Sequence, residues 1–543
     1  MNLSGTATSG VIDSTTVTSS ANEGIRIDDD TGSLTLDDVN LTTTGTGLDI
    51  DSSNDVTVNS SGDADISSAG RALSLTTATS NPSNMPDVTL DQVSSTGGAT
   101  GINIDDIGAG TFSANGGTLS GHSGAEVDVN NGSGNVTYPG TIGNGSGLSI
   151  QITGRSGGTI ALAGNINDSS DAGGGIDMSS NSGGTVTFSG ATKTLNTGAS
   201  AAFSSTGSNP TINFTNGGLD IDTTSGAGLS ATGGGTITVA TGAHPNTIDS
   251  TTTGTALTVA NTTIGVGGAT FQRISSGNNT PSASDDPANG IVLNNTGSSG
   301  GLTVTGNAGT CTMATQTCTG GTIQNTTGDG IALDNTKNVS LSFTRVLNAG
   351  RQGLFGRNID GFTLKNSLNI GAGDGDEESA ILFENDATTS SVNHTGTALN
   401  GTFLIQDTVI DSPTQWGLKA HQASGTMNMT VQRLTVQNNY PGTFGEQAMS
   451  IRTEAGTSNV LVDDSDFLTV NAGVDGGANG TGTLNMTVQN STVNQSQALP
   501  FGINFVTGGS STGRLKATGN TLIGCTGTVP TKMCSLGIDL DAP

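Results

Sequence analysis

The chain has 543 residues; 31% are hydrophobic, 3% aromatic and 11% charged, and glycine alone supplies 85. Side chains large enough to fill several ordinary globular cores are scarce, yet disorder fits poorly, because only 12 prolines accompany regularly spaced Ile, Val and Leu. Forty-five acids against 16 bases leave a net charge of −29, which argues against nucleic acid and anionic membranes, both of which attract Lys and Arg.

The partners left open are cations such as Ca²⁺, neutral glycans and other proteins, including those of a cell surface. The opening residues Met1-Asn2-Leu3-Ser4 carry neither a basic nor an apolar leader region. No run of about 18 apolar residues follows, so no segment is expected to insert in a membrane.

From Gly24 onward a short signature recurs: a small residue, then apolar–x–apolar, then often Asp or Asn. It reads GIRID at Gly24–Asp28, GLDID at Gly47–Asp51, GINID at Gly101–Asp105, GLDID at Gly218–Asp222 and GIVLN at Gly290–Asn294. It continues as GIALD at Gly330–Asp334 and ends as GIDLD at Gly537–Asp541. Successive copies lie 23 residues apart at Gly24 and Gly47, 22 at Ala125 and Gly147, and 35 at Gly502 and Gly537. A mean spacing of about 28 residues signals a repeat architecture.

Within a repeat the apolar residues alternate, as in Asn338–Phe343 (NVSLSF) and Thr483–Val488 (TLNMTV). That period predicts short strands closed by turn residues, and no sustained helical spacing appears. Two or three short strands per repeat predict an all-β fold, a right-handed parallel β-helix (β-solenoid) of roughly 19 coils. One inward row per strand needs few apolar residues, which accounts for the composition.

Along the chain, residues 1–276 read as thin, acidic coils. Gly-rich strings such as Gly233–Val239 precede no helix and are not phosphate loops. Thr-x-Thr runs such as Thr236-Ile237-Thr238 could suggest ice binding, but the coil lengths vary too much for one flat array. Residues 277–290, GNNTPSASDDPANG, read as a loop insertion, and 291–543 as better-filled coils with longer loops on one continuous solenoid. Cys311 and Cys318 are 7 apart, Cys525 and Cys534 are 9 apart, and each pair brackets a polar, turn-rich stretch. Both are expected to form disulfides pinching a loop, which places the protein outside the cytoplasm. Zinc is a poor reading without CxxC or a nearby His.

Segments between about Gly254 and Phe505 resemble the right-handed β-helix repeats of large bacterial cell-surface proteins, which share the pectin-lyase-like fold. They include GGTIQNTTGDGIALDNTKNVSLSF, GLFGRNIDGFTLKNS and GTMNMTVQRLTVQNN. The resemblance implies the fold more than the function, because that scaffold carries lyases, hydrolases, tailspikes and adhesins. A polygalacturonase-like site is not matched: Asp329 and Asp28-Asp29-Asp30 lie far apart in coil order, His122 stands in GHSG, and no Arg-Ile-Lys occurs.

A lyase-like site would draw on Asp374, Asp376, Glu377 and Glu378 with Arg351, Arg357 and Lys365. That acidic loop reads first as solvated and second as a Ca²⁺ site. The Asp or Asn of each signature (Asp28, Asp51, Asp105, Asp222, Asn294, Asp334, Asp541) would stack if the coils are in register, as turn residues more than as an ion ladder. His122, His244, His394 and His421 are scattered, and Trp416 beside Lys419 reads as packing ahead of a glycan platform. No catalytic or metal-ligating residue is assigned and no cofactor is required, with Ca²⁺ left open. The expected role is an extracellular structural or adhesive solenoid, a section of a larger exported surface protein; the alternative is a polysaccharide-binding or polysaccharide-cleaving β-helix.

Overall fold

Period-2 alternation places two apolar side chains of each short strand inward and the polar ones outward, as in Ile25–Asp28, Leu48–Asp51 and Ile102–Asp105. The structure, a computed structural model, describes residues 1–543 except 5–8, 30–31, 52–55, 77–85, 144, 170–172, 208, 283, 374, 376–377, 386–394, 440–446, 471, 496–501, 525–536 and 542–543. Among the described residues all regular structure is β-strand. The fold is a parallel β-solenoid of about 18 turns. Two compact units make it up: Met1–Ile248 with Asn261–Ala269, and Asp249–Ala260 with Thr270–Pro543.

In the first unit a full coil contributes three strands, each pairing in parallel with its equivalent one coil on, so three ladders result. The signature strands form the first ladder, and its register aligns Ile25, Leu48, Leu73, Ile102, Val127, Ile150, Ile176, Phe203 and Leu229 in one buried column. Each lap thus hides the apolar row of the lap beside it. Phe188 and Phe214, paired in the second ladder, stack with ring centroids 4.8 Å apart.

Corners are built from residues that accept left-handed backbone. Directly after first-ladder strands, Asp29, Asp106, Asn131 and Ser180 have φ of 53°, 52°, 53° and 56°, and Gly154 takes the same place at 69°. A different corner demands glycine for space. A Cβ on Gly164 would overlap the Gly140 carbonyl oxygen, and one on Gly190 would overlap that of Gly164.

The register corrects two sequence expectations. GLDID at Gly218–Asp222 belongs to the third ladder, where Leu219 pairs with Lys193 and Asp222 with Asn196; the same five letters serve a different face. And Thr159, Thr185, Thr211, Thr236 and Thr263 do form one aligned outward row on the second ladder. Their separations, 26, 26, 25 and 27 residues, differ only in what the corners absorb.

In the second unit the strands Ile331–Ser342 and Leu354–Lys365 each bend through two ladders. Phe362, Phe383 and Phe403 fill the interior edge to face, with Phe383 5.3 Å from Phe362 and 5.5 Å from Phe403. Asn366, Asp407, Arg433, Asp464 and Asn490 hold one corner column at φ of 49° to 52°. The 277–290 stretch is a loop pinned to a neighbouring coil, with Asn289 Nδ2 donating to Asp329 O at 2.8 Å and Thr327 N to Pro287 O at 2.9 Å.

Cys311 and Cys318 are bonded, their Cα atoms 4.6 Å apart; Cys525 and Cys534 lie outside the described residues. The Cys311–Cys318 loop stands between the strands Leu302–Val304 and Thr322–Gln324. It is tied back by Arg345 Nη1 donating to Gln316 O at 2.8 Å. Replacing both cysteines by Ser is expected to make this loop protease-sensitive while leaving hydrogen-exchange protection of the ladders within about 0.5 kcal/mol. Loss of protection at Ile323 or Val346 would contradict that.

Candidate functional site

Of the four acids of the acidic loop, only Glu378 is among the described residues. Asp374, Asp376 and Glu377 lie outside them, and Glu378 is buried, its Oε2 accepting from Gly375 N at 2.6 Å. Arg357 forms an ion pair with Asp334 in the coil beside it, and Lys365 sits on the second ladder opposite Gln406. Asp329 lies 3.9 Å from the Arg351 Nε; burial raises its carboxyl above the ordinary range, and the Arg351 charge opposes that rise.

The expected Asp–Asn stack is broken. Asp28 pairs with Asp51, but Thr76 separates Asp51 from Asp105, Asp334 stands between Asn294 and Arg357, and Asp541 faces Val506. Coulomb repulsion between stacked carboxylates is thus relieved by hydroxyl or guanidinium neighbours.

Acids, bases and an indole do gather on the outward side of the first ladder in the second unit. Lys419, Ser450, Asp475 and Asn504 follow one another in register. Lys419 Nζ lies 2.9 Å from Glu384 Oε2 and 3.9 Å from the Trp416 ring centroid. Arg452 pairs with Asp475, whose Oδ1 also accepts from Asn504 Nδ2 at 2.8 Å. His421 Nε2 lies 3.1 Å from Glu454, and burial first, then the Lys419 ammonium, hold the imidazole below its ordinary value against Glu454 and Glu384. Trp416 is packing: its ring face is taken by Lys419. The charges are mutually neutralised and largely buried.

Sequence reading named His122 among scattered histidines but missed its partners. Its Nε2 lies 3.0 Å from Ser95 Oγ and its Nδ1 bonds Glu126 Oε2, an arrangement signalled only by a His and a Glu four residues apart. All three side chains are at most 1% exposed, so this Ser–His–Glu chain is a satisfied internal network with no path for a substrate. His244 is exposed and contributes its carbonyl to Gly218 N at 3.0 Å; His394 lies outside the described residues.

A second outward face is accessible. On the second ladder Thr426–Gln432, Thr457–Asp463, Thr483–Gln489 and Thr512–Thr518 align residue for residue. Asn428, Asn459, Asn485 and Arg514 form one column, with Asn459 Nδ2 donating to Asn428 Oδ1 at 2.9 Å and Asn485 Nδ2 to Asn459 Oδ1 at 2.8 Å. Arg514 Nη1 donates to Asn485 Oδ1 at 3.0 Å. Thr430, Leu461, Thr487 and Lys516 form the adjacent column, and a shallow trough of about 460 Å³ runs between the two. The repeated T-x-N-M-T-V-Q at 426–432 and 483–489 is the sequence signal for this ladder. No family model, characterised protein or solved structure matches the chain.

Proposed function

We propose that the protein is an extracellular structural and adhesive β-solenoid that works by presenting the same surface chemistry coil after coil. The observation carrying this reading is the aligned outward rows, Thr159 to Thr263 in the first unit and Asn428 to Asn485 in the second. A hydroxyl or amide repeated at every lap offers many weak contacts whose sum is an avidity. The acidic charge favours solubility and works against nucleic acid. The Cys311–Cys318 bond fits an oxidising compartment. The resemblance to repeats of large bacterial surface proteins supports the same setting.

A second reading, a polysaccharide-acting β-helix, is favoured by one observation: Glu384, Lys419, Arg452 and Asp475 share one sheet face. Binding to an array of immobilised glycans, with release of soluble oligosaccharide measured in parallel, separates the two. The proposal expects retention that strengthens with glycan density and no turnover. Sustained release, abolished by Asp475→Asn, would transfer the assignment to the second reading, and absence of retention on any surface would remove the first.

A further inference from the structure

The trough on the second ladder has a charge pattern unlike the rest of the molecule. Most other cations are paired: Arg26, Arg273, Lys337, Arg357, Lys419, Arg433 and Arg452 each face a carboxylate within ion-pair distance, while Arg71 and Lys365 stand singly and half-exposed. Arg155 and Lys193 are buried against backbone carbonyls. Arg514 and Lys516 are exposed, and among the described residues neither has a carboxylate partner. They stand two residues apart on one strand, so both side chains point outward. One lies on each wall of the trough: a guanidinium follows Asn485 in the amide column, an ammonium follows Thr487 in the Thr–Leu–Thr column.

Four coils at about 4.8 Å give the trough a length of about 14 Å across the strands. One wall offers amides, each with a donor and an acceptor left over after the ladder bonds, and Arg514 keeps four N–H groups beyond the one given to Asn485. The other wall offers Thr hydroxyls and the half-exposed Leu461.

We infer that this trough binds a linear oligosaccharide bearing a carboxylate or sulfate, laid across the coils with the anionic group between Arg514 and Lys516. Amides spaced by one coil match successive sugar hydroxyls, and Leu461 takes an apolar sugar face. The two cations fix the direction, with guanidinium and anion meeting in charge-assisted hydrogen bonds. A peptide strand is disfavoured, because the sheet presents a side-chain face here and not a free backbone edge. The inference rests on the adhesive reading and names the ligand of one of its surfaces.

The test is calorimetric titration of the whole chain with a tetrasaccharide carrying one terminal sulfate, its carboxylated counterpart and the neutral parent. Both charged forms should bind at least about tenfold tighter than the neutral one, and the gap should close as salt rises, because exposed charges are screened within about 10 Å at 0.1 M. Arg514→Gln with Lys516→Gln should abolish the gap. Thr487→Trp, which fills the trough without touching a charge, should abolish binding of all three, with thermal unfolding of both variants unchanged.

Equal affinities for charged and neutral forms, or a Thr487→Trp variant that binds as well as the parent, would overturn the site. If the array still retained the protein, the adhesive reading would survive that result. If neither glycans nor surfaces were retained, both would fall.

Discussion

Replacing Lys193 by Met is expected to destabilise its coil by about 3 kcal/mol at pH 7, because three backbone carbonyls lose their only charged donor. Lys193 points inward on the third ladder, where Ile166 and Leu219 flank it, and it is fully buried. Its ammonium donates to Gly190 O at 2.6 Å, Gly217 O at 2.6 Å and Thr215 O at 3.1 Å, stapling two corners together. The thioether fills the space but supplies no donor.

The same site gives a pH signature. Burial lowers the Lys193 ammonium from 10.5 to about 8. Between those values the unfolded chain holds the proton that the folded chain has released, so stability rises with pH across that window. Hydrogen exchange of residues 190–219 at pH 7 and pH 9.5 should show this rise in the parent and none in Lys193→Met. An equally protected Met variant at pH 7 would show that the carbonyls do not need the ammonium.

Gly164→Ala should be as damaging through geometry alone, costing about 3 kcal/mol or more in the coils either side. The added methyl has nowhere to go, since the obstruction is the backbone carbonyl of Gly140 and not a movable side-chain end. Relief requires the coils to part at that corner, breaking the bond from Ile142 N to Asn165 O, 2.9 Å long, close by. Coils touch only their neighbours, so the loss should fade within two or three laps. Exchange protection should collapse around Thr141–Ile166 and persist at Ile25 and Leu48. Uniform loss, or none, would refute the nearest-neighbour picture.

Much of the fold was readable because its causes are local. Ile-x-Ile and Leu-x-Leu between turn residues specify a short strand wherever they occur, and their recurrence specifies stacking. What could not be read was which face a strand joins. Gly47–Asp51 and Gly218–Asp222 share the sequence GLDID, yet the first strand pairs with Leu73 and the second with Lys193. The difference is made by how many residues each intervening corner consumes.

The surfaces fared the same way. Asn428, Asn459 and Asn485 are unremarked amides until register brings them together, and Ser95 reaches His122 only because one lap sets Ser95 beside Leu119, three residues before the histidine. Lys419 and Trp416 were legible as neighbours, but the depth at which Glu384 meets them depends on the coil between.

The Thr159–Thr263 row holds its alignment through laps of unequal length, so the corners act as slack that this row does not feel. Growth or shrinkage of this chain by whole laps would therefore cost the adjoining laps almost nothing. The molecule can be lengthened like a zip, one tooth of about 4.8 Å at a time, each new tooth bringing its own copy of the outward row.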